Sequence, residues 1–270
     1  MRIAHKYLAV FRIRFVGALQ YRVAALAGMA TQFAWGFMEL FAFAAFYRAD
    51  PGAFPMEFSQ TVSYIWMQQA FLRLFFVWLG DNEISQAISG GGIAYELVRP
   101  LDLYGRWLCQ DAAGRLASTA LRCVPVLLVA YLLPGQYRMP LPPDLARLAL
   151  FLLGTALALG VASALTTLMY ITLFYTLSPA GVRTLFSSLT MFLSGSIVPI
   201  PFFPAPLRAV AELLPFAAIQ NTPLRIYSGN MAGAEALRGV ALQIFWLAAL
   251  LLAGRLCMDR ALKKVVVQGG

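Results

Sequence analysis

Six apolar runs dominate this chain: Val23–Phe46, Val62–Leu79, Leu116–Leu133, Leu145–Leu177, Leu185–Ile200 and Leu237–Cys257. About 20 consecutive apolar residues cross the hydrocarbon core of a bilayer as a helix. In lipid, every backbone polar group needs a partner within the protein, so such runs must fold as helices. A water-soluble core does not account for six of them in 270 residues that are 60% hydrophobic and 12% charged, with mean hydropathy +0.72. The expected fold class is therefore all-α integral membrane, with six transmembrane helices in a single domain, 1–270.

An even number of spans puts both termini on one side, and the cations choose the side. With the termini inside, the inner segments hold Arg2, Lys6, Arg12, Arg14, Arg22, Arg99, Arg106, Arg115, Arg183, Arg255, Arg260, Lys263 and Lys264. The outer segments hold Arg48, Arg138, Arg147, Arg208, Arg225 and Arg238, while Arg73 and Arg122 fall within helices. The positive-inside rule then places both termini in the cytoplasm. A net charge of +9 reads as topology and contact with anionic lipid. The cations form no single surface, so nucleic acid is not an expected partner.

The first apolar run is too long for a signal-peptide core and has no small-residue cleavage site, so it reads as a retained helix. Before it, residues 1–20 put Ile3, Tyr7, Val10, Phe11 and Phe15 on one helical face, with Arg2, His5, Lys6 and Arg12 opposite and Arg14 out of pattern. That pattern suits a helix lying in the membrane interface. Cys109, Cys123 and Cys257 have neither disulfide nor metal spacing and read as small packing residues.

Two polar or broken stretches interrupt the spans. Residues 81–102 lie in the longest inner segment. Asp81 or Asn82 could cap a short helix carrying Ile84 and Ile88, Gly90, Gly91 and Gly92 end it, and a second short segment runs to Arg99-Pro100. A short amphipathic element held between two spans suits docking of a cytoplasmic partner. Residues 199–228 contain Pro199, Pro201, Pro204, Pro206 and Pro215, which forbid a continuous helix. Broken apolar backbone of this kind must pack on protein or line a cavity, so an outer re-entrant hairpin is expected.

Little points to catalysis. The glycine run lacks the lysine of a phosphate-binding loop, no His/Cys/carboxylate cluster suggests a metal, and the one histidine, His5, belongs to no triad. Glu39 and Arg73 are charges inside apolar spans, where charge is costly and marks either a pair or a substrate path. Their depths differ by about 10 Å at about 1.5 Å of rise per residue, a gap that long side chains or a bridging water could close.

The whole pattern resembles the permease subunit of a type-2 ABC exporter. The likeness rests on Ile88-Ser89-Gly90 through Tyr95-Glu96-Leu97-Val98-Arg99-Pro100-Leu101-Asp102, and on Ser194-Gly195-Ser196 through Pro199, Pro204 and Leu214-Pro215-Phe216. Tyr64-Ile65-Trp66 and Tyr21-Arg22 also fit. The closest likeness is to small six-helix permeases, typically two related chains served by a separate ATPase and described as multidrug, viologen or antibiotic-resistance exporters. The resemblance implies that 81–102 couples to the ATPase through Ile84, Ile88, Tyr95, Glu96, Arg99 and Pro100. It implies an outer gate at Pro199, Pro201, Phe202, Phe203 and Pro215; Glu39 and Arg73 stay, on their charge alone, either a substrate-path pair or a structural ion pair. No cofactor is expected on this chain; ATP and magnesium belong to the ATPase. The other expected partners are a second permease, sister or identical, and the lipid of a bacterial cytoplasmic membrane. Alternating access would carry an amphipathic or hydrophobic small molecule, cationic ones included. The triple glycine departs from the family pattern. A membrane scaffold without a transport path is the alternative from another class, and a lipid-processing enzyme ranks behind both.

Overall fold

The computed structural model describes residues 2–20, 22–50, 52, 54–77, 82–142, 144–176 and 179–264. The expected cap at Asp81 lies outside them, and so do the last residues of the second apolar run. Among the described residues there are helices and turns but no strand.

The helices are α1 (Arg2–Leu19), α2 (Arg22–Ala49), α3 (Phe58–Ala70), α4 (Leu72–Phe75), α5 (Asn82–Ser89), α6 (Ile93–Leu97), α7 (Leu103–Leu132), α8 (Leu145–Thr172), α9 (Pro179–Leu193), α10 (Ala205–Leu213), α11 (Pro215–Ile219), α12 (Asn221–Ser228) and α13 (Gly233–Leu262). Among the described residues, four stretches are long and apolar enough to cross a bilayer: Val23–Ala49, Leu103–Leu132, Leu145–Thr172 and Gly233–Leu262. The second and fifth apolar runs form shorter helices. α3 has 13 residues and α9 has 15, about 20 and 22 Å of helix, against a hydrocarbon core of about 30 Å. α3 stops where Phe71 leaves helical geometry (φ −101°, ψ 14°), and α4 adds a single turn. α9 stops at Gly195, whose φ of +82° lies in the left-handed region that only glycine enters freely.

Local chemistry sets several boundaries. The Asp102 carboxylate accepts from the Gly105 amide at 2.8 Å and begins α7, and Asp144 does the same for α8 through the Arg147 amide at 2.6 Å. Glu57 and Gln60 form a reciprocal capping box at the start of α3. Gly229, with φ +80°, ends α12.

α3 is the central element despite its length. Every residue from Thr61 to Ala70 is buried, because α2, α7 and α12 surround it. The main core joins Tyr64, Ile65, Trp66 and Met67 of α3 to Leu40 of α2, Val126 and Ala130 of α7, Phe151 and Val161 of α8, Leu224 and Ile226 of α12, and Leu250 of α13. Phe37 meets Trp66 edge to face at 5.1 Å, an arrangement that adds to the area buried. α8 and α13 pack along each other, and Gly160 makes that approach feasible: a Cβ there would stand 2.8 Å from Leu247.

α1 lies along α7. Of its expected apolar face, Tyr7, Val10, Phe11 and Phe15 are half-buried and the Ile3 side chain lies outside the described ones, while Leu8, Ile13 and Val16 remain exposed. Arg14, out of pattern on the wheel, sits on the packed side because its guanidinium pairs with Glu83 of α5 at 2.7 Å.

Candidate functional site

Three groups of residues carry the chemistry, and the first is a chain of amides buried between the helices. Gln68 of α3 donates to the Ser196 carbonyl at 2.9 Å and faces both Glu39 carboxylate oxygens at 3.4 Å. Gln220, just before α12, donates to the Gln68 side-chain oxygen at 2.9 Å and to the Gly195 carbonyl at 3.3 Å. The Tyr64 hydroxyl donates to that same carbonyl at 3.1 Å. Gln32 of α2 donates to the Gln69 carbonyl at 2.8 Å, and Gln243 of α13 to the carbonyls of Gly154 and Ala218 at 2.9 and 2.7 Å. Gln68, Gln220 and Tyr64 reach backbone just past the end of α9, Gln32 reaches the last turn of α3, and Gln243 bridges the middle of α8 to the end of α11. At the ends of α9, α3 and α11 the donor thus meets a carbonyl close to where a helix ladder stops. Glu39 accepts the weakest bonds of the group and makes no ion pair among the described residues.

Arg73 is elsewhere. The structure does not bring it to Glu39. It turns toward a cavity of about 630 Å³ at the α1 end of the molecule, lined also by Arg14, Arg115, Arg122, Glu83 and Asp111. A shared depth estimate could not show this, because the two side chains leave α2 and α4 toward different neighbours.

The second group is the segment between α4 and α7. α5 and α6 form the expected pair of short helices, and ties on several sides hold them. Arg14 pairs with Glu83, Arg183 donates to Asn82 at 2.8 Å, and Lys6 donates to the Pro100 carbonyl at 3.3 Å. Glu96 contacts the buried Arg106 guanidinium and lies 3.4 Å from Arg99, and Asp102 pairs with Arg255 at 2.6 Å. The apolar face of α5 is covered within the chain. Ile84 is only 4% exposed, and Ile88 packs on the same cluster, which contains Trp107, Tyr170 and Met258. Those isoleucines face inward because that is where the apolar surface of α7, α8 and α13 lies. The outward apolar groups are Tyr95, 77% exposed, Val98, 81%, and Leu97, 40%. Arg99 and Pro100 are exposed beside them.

The third group is the proline-rich stretch at the opposite end. Pro199, Pro201 and Pro215 are buried. Phe202 meets Phe43 at 5.1 Å and Phe54 at 5.8 Å, and Phe203 stacks on Phe192 at 5.4 Å. Prolines begin the 3₁₀ turn Ile200–Phe202, α10 and α11, where a missing N–H costs nothing. Arg225 of α12, 3% exposed, ties the stretch together with bonds to Glu212 at 2.9 Å, Glu235 at 2.8 Å and Asn230 at 2.6 Å.

Reasoning from sequence missed the glutamines. The available signal was an uncharged amide recurring inside apolar helices, at Gln32, Gln68, Gln69 and Gln243. In lipid such a group needs a partner as surely as a charge does.

Among curated proteins none matches the chain. Residues 33–269 match the family described as ABC-2 family transporter protein. That region holds the four long helices except the start of α2, both short helices α3 and α9, the α5–α6 segment and the proline-rich stretch; α1 lies outside it. The chain, a multi-pass helical membrane protein, belongs to the ABC-2 family of transporter proteins and is a permease of that type.

Proposed function

We propose that this chain is one permease half of an ATP-driven exporter in a bacterial cytoplasmic membrane, with both termini inside. α3–α4 and α9 serve as the second and fifth of six spans, and the stretch 199–228 is a re-entrant hairpin that closes the outer end of the pathway. A separate ATPase, holding ATP and magnesium, drives it. A second permease, sister or identical, completes the transport unit.

The observation that carries this reading is the α5–α6 segment. Ile84 and Ile93 lock it onto α7, α8 and α13, so a push on the segment reaches three long helices at once. Its outer surface offers Tyr95, Leu97 and Val98, the apolar and aromatic anchors that favour a protein partner. Closure of two ATPase subunits would move these segments, and the bundles would rock between inward-open and outward-open states. The chain is rich in aromatic residues, 13% Phe, Trp and Tyr, a composition that suits an amphipathic or hydrophobic small molecule, organic cations included.

The test is affinity purification of the full chain in mild detergent from its native cells. A soluble ABC ATPase should co-purify in near-stoichiometric amount, and cells lacking the chain should accumulate lipophilic cations. Absence of any co-purifying ATPase, with the permease intact, would reject this function.

A further inference from the structure

The geometry points to a binding site for the anionic phosphate headgroup of a membrane lipid, in the cavity between α1, α2 and α7. The cavity holds about 630 Å³ and brings together Arg14, Arg73, Arg115 and Arg122 with Glu83 and Asp111. Both carboxylates are already engaged: Glu83 with Arg14 at 2.7 Å, and Asp111 with Arg115 at 2.5 Å. Arg115 is also used up structurally. Its other N–H groups hold the carbonyls of Leu74 and Phe76 at 3.0 and 2.8 Å and the Thr166 hydroxyl at 2.7 Å.

Arg73 and Arg122 are different. The Nε of each is buried without a partner, and the one hydrogen bond from Arg122 among the described residues is a long one, 3.4 Å to the Ala24 carbonyl. α2 makes room for that guanidinium at Gly28, where a Cβ would stand 2.7 Å from the Arg122 Cζ. Four guanidinium groups thus share one half-buried cavity with two carboxylates, and neither carboxylate is in an ion pair with Arg73 or Arg122 among the described residues. Mutual repulsion and lost hydration make that costly unless an anion joins them. A phosphate is the group that a guanidinium fork fits best.

The shape of the surroundings selects a lipid over a free anion. The exposed face of α1 adjoins the cavity through Ile13, Gly17 and Gln20 and continues along Leu8 and Val16, with His5 and Arg12 among them. A headgroup in the cavity would lay its acyl chain against the exposed Leu8, Ile13 and Val16, with the cations of that face left at the headgroup level. The orientation proposed above puts this end at the inner leaflet, where anionic lipids meet basic pockets between helices. The site does not depend on what, if anything, the chain transports.

Native mass spectrometry of the delipidated full chain tests it, with phosphatidylglycerol and phosphatidylcholine of matched acyl chains as probes and inorganic phosphate as competitor. The wild type should bind phosphatidylglycerol about tenfold more tightly than phosphatidylcholine. Arg73→Gln with Arg122→Gln should remove that preference, and Arg73→Lys with Arg122→Lys should keep most of it. Arg208→Gln, at the opposite end, should leave it unchanged. The proposal is overturned if the wild type binds the two lipids equally, or if the double glutamine variant keeps the preference. It is also overturned if millimolar inorganic phosphate displaces phosphatidylglycerol fully, since the site would then be a free-anion site. The lipid comparison on the wild type decides even if the double variant fails to fold.

Discussion

Gln220 donates a 2.9 Å hydrogen bond to Gln68 across 152 residues of chain. That single contact fastens the start of α12 to the last turn of α3, and through Ser196 it also fastens the end of α9. Three segments that depart from regular helix therefore share one buried junction. Gln68→Leu keeps the volume and removes both the acceptor for Gln220 and the donor to Ser196. The expected cost is about 2–3 kcal/mol, mostly from stranding buried partners. A lower melting temperature in detergent checks it; a variant as stable as wild type would show the junction to be incidental.

Glu39 and Arg73 belong to different neighbourhoods, and their energetics should say so. Glu39 faces Gln68 at 3.4 Å, whereas Arg73 lines the cavity with Arg122 and Arg115. Glu39→Gln and Arg73→Gln should therefore act independently, with stability changes additive within about 0.5 kcal/mol. Rescue of one by the other in a double-mutant cycle would mean that they couple after all. In transport, Glu39→Gln isolates any role of the negative charge, since the amide keeps the shape.

Much of the architecture was legible because hydrophobic length is a local property. The four long helices coincide with apolar runs, and the prolines after Ile200 mark where helix had to break. α3 was harder to read. Its residues Gln60, Gln68 and Gln69 dilute the apolar run, and full burial follows from α2, α7 and α12 closing round it, which no local pattern encodes. The inward turn of Ile84 and Ile88 has the same origin: an amphipathic helix shows that it has an apolar face, but not whether that face meets its own protein or another. The convergence of Arg73, Arg115 and Arg122 likewise depends on how α4 and α7 are set against each other.

That distinction yields a paired test of the α5–α6 surface. Val98→Asp and Tyr95→Asp alter groups exposed to solvent in this chain, so folding should be unaffected while capture of the ATPase falls at least tenfold, as loss of an aromatic anchor typically does. Ile84→Asp should instead damage the chain itself, because it places a charge beside Trp107 and Met258. Pull-down and thermal melting, measured together, separate the two. Equal ATPase capture by wild type and the Tyr95 and Val98 variants would remove this surface from the interface.

Gly195 offers a test of how α9 turns into the proline-rich stretch. Its φ is +82°, and a Cβ would stand 2.8 Å from the Tyr64 hydroxyl and 3.1 Å from the Ile200 nitrogen. Gly195→Ala therefore meets two separate penalties, backbone strain and a clash, together about 2–4 kcal/mol. Tyr64→Phe removes the oxygen involved in the clash and leaves the strain. In the Tyr64→Phe background Gly195→Ala should thus cost less than it does in the wild type, but still more than zero. The carbonyl of Gly195 would keep its bond from Gln220 at 3.3 Å, so the junction should loosen rather than disappear. Thermal melting of the four proteins measures both parts. If the cost of Gly195→Ala is the same in both backgrounds, Tyr64 is not what excludes a side chain at this turn.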